Sequence, residues 1–312
     1  MKSKKFIVTG ILNNENSFSC KGYEDDNEIL NVTSSRDTDS YELKLGTEFL
    51  MQYLENKTND VELILEHNIV TSGEIPVLYC YPKSDKPLPV VIFAHGMFGD
   101  KIIDLHRGIV LAQEGFFVVL ADARFHGERI VENYSQYFYE NDKVVNCKKF
   151  LEVIKGTSED ISKVIDNLKD DRRVDLNRIG MSGISMGGYV TFLTLANDDR
   201  IKVAAPMLSS PDWVFNTEKI EQDKYDEELK EIIKINNPIN NYKRIASIPL
   251  LIQNAIDDPT ISINGVRQLI QTINKDHSEI EQKYSLIEYP NIGHEVPDIM
   301  IDRIIQWFKK YL

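Results

Sequence analysis

The chain has 312 residues, of which 42% are hydrophobic and 27% charged, a globular balance that excludes a fibrous or wholly disordered protein. Its net charge of −13 argues against a phosphate-binding surface, because nucleic-acid recognition needs clustered Lys and Arg; the plain meaning of the acidity is solubility. A chain of this length buries about three quarters of the surface its unfolded form exposes, enough for one large core.

Cys20, Cys80 and Cys147 are too few and too scattered for a disulfide framework or a zinc site. No apolar run reaches the roughly 18 residues of a membrane span, so none is expected. At the start, Lys2, Lys4 and Lys5 precede an apolar stretch that Thr9 and Gly10 break and Asn13, Asn14 and Asn16 follow. That is not the pattern of a signal peptide, and the cytoplasm is the expected compartment.

In chain order, residues 1–60 stand apart as an extension with no readable role. They hold a polar stretch from Thr33 to Ser40 and a predicted helix around Thr47 to Glu55. From residue 61 to the end, strand-like and helix-like segments alternate, which predicts an α/β domain with a mostly parallel sheet and helices on both faces. Val61 to Leu65 and Ile75 to Tyr81 read as early strands. Pro89 to Ala94 and Phe116 to Ala121 are short continuous apolar runs, as expected of strands buried on both faces. Ile161, Val164, Ile165 and Leu168 follow helical spacing, with Thr157 placed to cap. Strands are predicted at Arg178 to Ser182, Ile201 to Leu208, Pro249 to Gln253 and Lys283 to Tyr289. A final amphipathic helix carries Ile301, Ile304, Ile305, Phe308 and Leu312 on one face. Residues 209–247 are too long for a tight connection. Asn216 to Lys234 contains eleven charged residues, with Ile220, Leu229, Ile232 and Ile233 spaced as a helix face, which predicts a small helical cap over the strand ends.

The chemistry centres on Gly183-Ile184-Ser185-Met186-Gly187-Gly188. A bare G-x-S-x-G is a weak signal, but here it follows a predicted strand and opens a predicted helix, the context that a nucleophile elbow needs. The turn strains the serine backbone, and side chains two residues to either side would collide, so Gly183 and Gly187 relieve the crowding. A serine hydroxyl needs a base to take its proton. Of the histidines only His294 lies between the last strand and the last helix, where a loop can bring it to the strand ends. The imidazole in turn needs a carboxylate. Both Asp257 and Asp258 follow the strand at 249–253; Asp258 is favoured because Pro259-Thr260-Ile261 turns the chain away after it. The order Ser185, Asp258, His294 is that of α/β-hydrolases and differs from the orders of chymotrypsin and subtilisin. Negative charge on the attacked carbonyl oxygen calls for preorganised donors. The Met186 N–H at the helix start is one candidate, and the Met97 N–H in Ala94-His95-Gly96-Met97 is the other.

With these residues in place, the set His95-Gly96, Asp122-x-Arg124-x-His126-Gly127-Glu128-Arg129, Gly183-x-Ser185-x-Gly187-Gly188, Asp258 and Gly293-His294 resembles the α/β-hydrolases related to dienelactone hydrolase and prolyl oligopeptidase, in particular small bacterial esterases of that group. The resemblance covers about residues 62–312. It implies an α/β-hydrolase fold, Ser185 as nucleophile, Asp258 as acid, His294 as base, Met97 and Met186 as oxyanion donors, and no cofactor or metal. The His95-Gly96-Met97 form resembles hydrolases of esters of unhindered alcohols, which makes a small-molecule ester the expected substrate. Two departures stand out. Ala255 occupies a place where the family often has glycine, which leaves Asp257 in contention with Asp258. The serine at 185, where dienelactone hydrolases look to have cysteine, speaks against dienelactone as substrate.

Three other readings compete. A metal hydrolase using His95, His106, Asp122 and His126 lacks His-Glu-x-x-His spacing, and His126 to Arg129 is better read as shaping a loop through an Arg129–carboxylate pair. A peptidase or acylaminoacyl hydrolase would use the same triad, but residues 1–60 cannot build the propeller of prolyl oligopeptidase relatives. A non-catalytic binding protein would be expected to lose triad members. Tyr134, Tyr137, Phe138 and Tyr139, with Trp213 and Phe215, either line the substrate pocket or pack the cap onto the sheet. His95, Tyr137, Trp213 and Phe215 are the candidate substrate contacts. The oligomeric state is not legible.

Overall fold

A computed structural model describes residues 63–70, 72–131, 137–138, 140–216, 224–276 and 283–312, together with the backbone of three earlier strands, Lys4–Ile7 (β1), Ser17–Gly22 (β2) and Ile29–Thr33 (β3). Leu63–Val70 (β4) and Ile75–Pro82 (β5) form an antiparallel hairpin in which Val70 faces Ile75. Leu88–Ala94 (β6), Phe117–Ala121 (β7), Val174–Ile184 (β8), Ile201–Met207 (β9), Leu250–Ala255 (β10) and Tyr284–Tyr289 (β11) are mutually parallel. All lie in one sheet in the order β11-β10-β9-β8-β6-β7-β5-β4-β1-β2-β3. The early strands extend the sheet past β4, with Phe6 opposite Leu65.

Parallel neighbours need crossovers, and helices supply them. They are Leu105–Gln113 (α1), Lys143–Asn167 (α2) and Met186–Asn197 (α3), then Trp213–Asn216 (α4), Glu227–Asn236 (α5) and Tyr242–Ala246 (α6) within the long insertion, and finally Asn264–Asp276 (α7) and Asp298–Tyr311 (α8). No helix among the described residues is long and apolar enough to cross a membrane. The strands sort their side chains by parity, as strands covered on both faces must. Val90, Ile92, Phe117 and Val119 pack with α2, α3 and α7, whereas Val91, Phe93, Val118 and Leu120 pack with α1 and α8.

Between β8 and β6 the chain leaves the sheet in opposite directions, from β6 towards β7 and from β8 towards β9. Such a reversal opens a crevice outside the carboxyl ends of the strands, where ligands bind in open α/β sheets. Ser185 follows β8 and His95 follows β6, so both stand at that crevice.

Several element boundaries differ from the expectations. Thr157 caps nothing: α2 begins far earlier, at Asp142, whose side chain accepts from the Val144 and Val145 amides. The weak apolar spacing of Lys143 to Lys155 hid that first half, and Thr157 sits buried within the helix. In the insertion, α5 begins at Asp226, whose side chain accepts from Leu229 N–H. Leu229, Ile233, Ile245 and Ile248 belong to the core on the α2–α3 side of the sheet. The expected helix at 47–55, Ile220, Tyr134 and Tyr139 lie outside the described residues.

Phe308 on α8 is fully buried and meets Phe116 edge-on, with ring centroids 6.2 Å apart. Phe308→Ala should lower the unfolding free energy by about 3–5 kcal/mol. Urea unfolding followed by circular dichroism checks this, and an unchanged midpoint would contradict the packing.

Candidate active site

The elbow is built by crowding. A Cβ on Gly183 would overlap the Gly187 carbonyl, and one on Gly187 would overlap the backbone of Ala94 on the neighbouring β6. No side chain is compatible with these approaches, so the turn between β8 and α3 can close only around glycines. Ser185 pays with its backbone: φ is 54° and ψ −115°, a strained conformation for a residue with a side chain. Its N–H donates to Met207 O at 3.0 Å and its carbonyl accepts from Tyr189 N–H at 3.0 Å, which fixes the turn from both sides.

The loop between β11 and α8 brings His294 to this serine. His294 Nδ1–H donates to Asp258 Oδ2 at 2.7 Å, and Ser185 Oγ–H donates to His294 Nε2 at 2.9 Å. Asp258 has no exposed side-chain surface, and its Oδ1 accepts the Thr260 and Ile261 amides at 2.7 and 3.0 Å. Burial alone would raise its pKa, but the hydrogen bonds from His294, Ile261 and Thr260 outweigh it and hold the carboxyl below the usual carboxylate range. Asp257 turns outward and accepts from Asn291 N–H at 2.9 Å, anchoring the loop that carries His294. The two aspartates therefore divide the work: Asp258 meets the imidazole and Asp257 holds its loop. Ala255 ends β10 fully buried, and the Ile256 amide bonds Tyr289 O at 2.8 Å; the turn closes without glycine there.

Across the crevice, the backbone after β6 runs against the serine. A Cβ on Gly96 would stand 3.5 Å from Ile184 O and 3.9 Å from Ser185 Cβ. Met97 follows directly, and Met186 occupies the first position of α3, where an N–H has no intrahelical acceptor. His95 is turned into the loop. It is 2% exposed, its Nε2 accepts from Ala123 N–H at 3.0 Å, and its Nδ1–H donates to Gly96 O at 2.8 Å, so both ring nitrogens are committed to the loop itself.

Trp213 is likewise withdrawn: its side chain is fully buried in the core, and its backbone N–H donates to Asn237 Oδ1 at 2.9 Å. Tyr137 belongs to an aromatic group with Phe125 and Phe138, at centroid distances of 5.0 and 4.9 Å, and Lys149 lies over its ring. The side chain of Phe215 lies outside the described residues.

The loop after β7 is held by charge. Asp160 on α2 receives Arg129 at 2.8 Å, the expected Arg129–carboxylate pair, and Arg124 at 3.0 Å. Thr157 Oγ1 accepts from Arg124 N–H at 3.1 Å, which is what that buried threonine does in place of capping. Sequence reasoning passed over Lys101, whose Nζ meets Asp122 at 2.6 Å and Glu128 at 2.5 Å. A lysine in a loop gives no signal of burial by itself; its only clue was the nearby Asp122 motif. Among the described residues no cluster of His, Cys, Asp and Glu could hold a metal ion.

A sheet whose strands from β6 onward are parallel, with a strained serine at its switch point hydrogen-bonded to an imidazole backed by a carboxylate, defines a serine hydrolase of the α/β-hydrolase class. The chain belongs to the prolyl oligopeptidase family, which matches residues 104–312. It is 27% identical over 268 residues to "Putative esterase YitV" of Bacillus subtilis (strain 168), covering 80% of this chain and 100% of that one. It is 21% identical over 251 residues to Esterase YjfP of Escherichia coli (strain K12), covering 77% and 96%. The acylaminoacyl peptidase of Pyrococcus horikoshii superposes with a TM-score of 0.63 at 18% identity, covering all of this chain and 50% of that one, a likeness of fold.

Glu128 offers a pH test of the loop. The His67 hydrogen bond at 2.7 Å pulls its pKa down, burial opposes, and Lys101 adds to the pull, for a net fall from 4.5 to about 2. A carboxyl with a depressed folded-state pKa stabilises above its unfolded value and loses that contribution as pH falls through the folded one. Glu128→Gln should therefore lower Tm at neutral pH, and the gap to the native protein should shrink between pH 4.5 and about 2. A gap independent of pH in thermal melts would contradict the pairing.

Proposed function

We propose that the protein hydrolyses carboxylic esters of small, unhindered alcohols through an acyl-enzyme on Ser185. The observation that carries this reading is the continuous chain from Asp258 through His294 to Ser185 Oγ, with links of 2.7 and 2.9 Å. Asp258 bound to Nδ1–H fixes the tautomer that leaves Nε2 free to take the serine proton. Attack then forms a tetrahedral intermediate whose oxygen accepts from the Met97 and Met186 amides, the latter favoured by the helix dipole. His294 returns the proton to the departing alcohol, and water repeats the sequence on the acyl-enzyme. Esterase names among the relatives, matched over nearly their whole length, support an ester substrate. The insertion bearing α4 to α6 is read as the cap that bounds the pocket.

Ser185→Ala should lower kcat towards p-nitrophenyl acetate by several powers of ten, and Asp258→Asn by about 10⁴-fold through the wrong imidazole tautomer. Asp257→Asn should cost far less. Near-native turnover by Ser185→Ala would discard the nucleophile, and a larger loss at Asp257 than at Asp258 would move the acid.

Amide cleavage is the second reading, favoured by membership of the prolyl oligopeptidase family. Comparing p-nitrophenyl esters with the matching anilides separates the two. The ester is expected to show much the higher kcat/KM, and comparable values would make the protein a peptidase. A non-catalytic role is tested by a fluorophosphonate probe, which should label the native protein and not Ser185→Ala.

A further inference from the structure

Two separate contacts clamp the stretch from His95 to Lys101 onto the pair of residues that follows β7. At one end the Ala123 N–H donates to His95 Nε2 at 3.0 Å. At the other, the Lys101 N–H donates to Asp122 Oδ1 at 2.9 Å and Lys101 Nζ to Asp122 Oδ2 at 2.6 Å. Met97 and Phe98 lie between the clamps, and Phe98 has φ of 63°, a strained value that persists only where the surroundings over-determine it.

Asp122 is itself held from several directions. It is 1% exposed; Oδ2 also accepts the Glu128 amide at 3.0 Å, its N–H donates to Pro76 O at 3.0 Å, and its carbonyl accepts from Arg129 Nη1 at 3.2 Å. Gly127 has φ of 57°, and a Cβ there would overlap the Asp122 carboxylate. A buried ion pair is a poor source of stability, and apolar residues of the same volume would serve a core as well. What a carboxylate holding three donors adds is direction: it fixes where the loop backbone lies.

We propose that Asp122, with Lys101 as its partner, is a positioning residue that sets the Met97 amide of the oxyanion hole. This rests on the reading of Met97 N–H as an oxyanion donor. Asp122 touches no reacting atom. Its contribution is to the transition state, because a donor displaced by a fraction of an ångström still admits substrate but no longer meets the developing charge.

The test uses the native protein, Asp122→Asn and Gly127→Ala. The first keeps an acceptor for the Lys101 amide and loses the charge; the second displaces the carboxylate without altering it. Each is assayed with p-nitrophenyl acetate and with phenylboronic acid as inhibitor. Ser185 Oγ adds to the trigonal boron as its proton passes to His294, leaving a tetrahedral, negatively charged boronate that mimics the intermediate. Both variants should lose about ten- to a hundred-fold in kcat with KM within about two-fold, and the boronic acid Ki should rise by the same factor as kcat falls. Circular dichroism selects for folded protein, and either variant alone suffices. Native kcat and Ki in a folded variant would overturn the proposal, as would a fall in kcat with unchanged Ki. A native protein that turns over ester but whose boronate inhibition does not depend on Ser185 would instead overturn the reading on which the proposal rests.

Discussion

The backbone contact between the turn after β8 and the end of β6 is the constraint on which the rest of the site depends. Gly183 and Gly187 press against each other and against Ala94 with no room for a side chain. That closeness forces Ser185 to positive φ and lifts its hydroxyl out of the sheet where the chain leaves the adjacent strands β6 and β8 in opposite directions. The strain is confined by hydrogen bonds to Met207 and Tyr189, so it is carried by the rigid centre of the sheet and not by a loop.

Around that fixed point the partners arrive on loops, and each loop is immobilised by a carboxylate. Asp257 bonds the Asn291 amide in the His294 loop, Asp122 bonds Lys101 in the loop after β6, and Asp160 gathers Arg124 and Arg129 from the loop after β7. Part of the acidic excess thus sits at loop anchors near the crevice as well as on the solvated surface. Ionised acceptors make stronger and shorter hydrogen bonds than neutral ones, which suits loops that must hold a geometry without a regular backbone ladder.

The sheet strands from residue 75 onward and the elbow were legible because their signals are local: continuous apolar runs for strands covered on both faces, and glycines where backbones touch. Which of the two aspartates meets His294 is legible only as a preference, since adjacent residues in a turn differ by direction, which Pro259 hints at. Elsewhere the signal was non-local. The start of α2 was missed because Lys143 to Lys155 is not strongly patterned and its cap, Asp142, looks like any loop aspartate. An aromatic near a site suggests a ligand as readily as a core: His95 is tied to the Ala123 amide and the Trp213 side chain packs into the core, both through residues distant in sequence. Lys101 went unread for the same reason: its burial is created by Asp122 and Glu128, which no spacing rule joins to it.

The strand order has a consequence for how the chain reaches this structure. β6 lies between β7 and β8, so Ala94 must wait for Gly183 before its second neighbour exists, and the elbow cannot form until β8 and α3 have emerged. Pairings of such long sequence separation meet the full entropy of loop closure before any contact rewards them, which makes them slow. During synthesis the apolar run of β6 is therefore exposed on one edge for the time taken to make some ninety further residues, from Ala94 to Gly183. The arrangement that places the serine turn beside the loop after β6 thus also leaves an apolar strand edge without its partner until β8 is made.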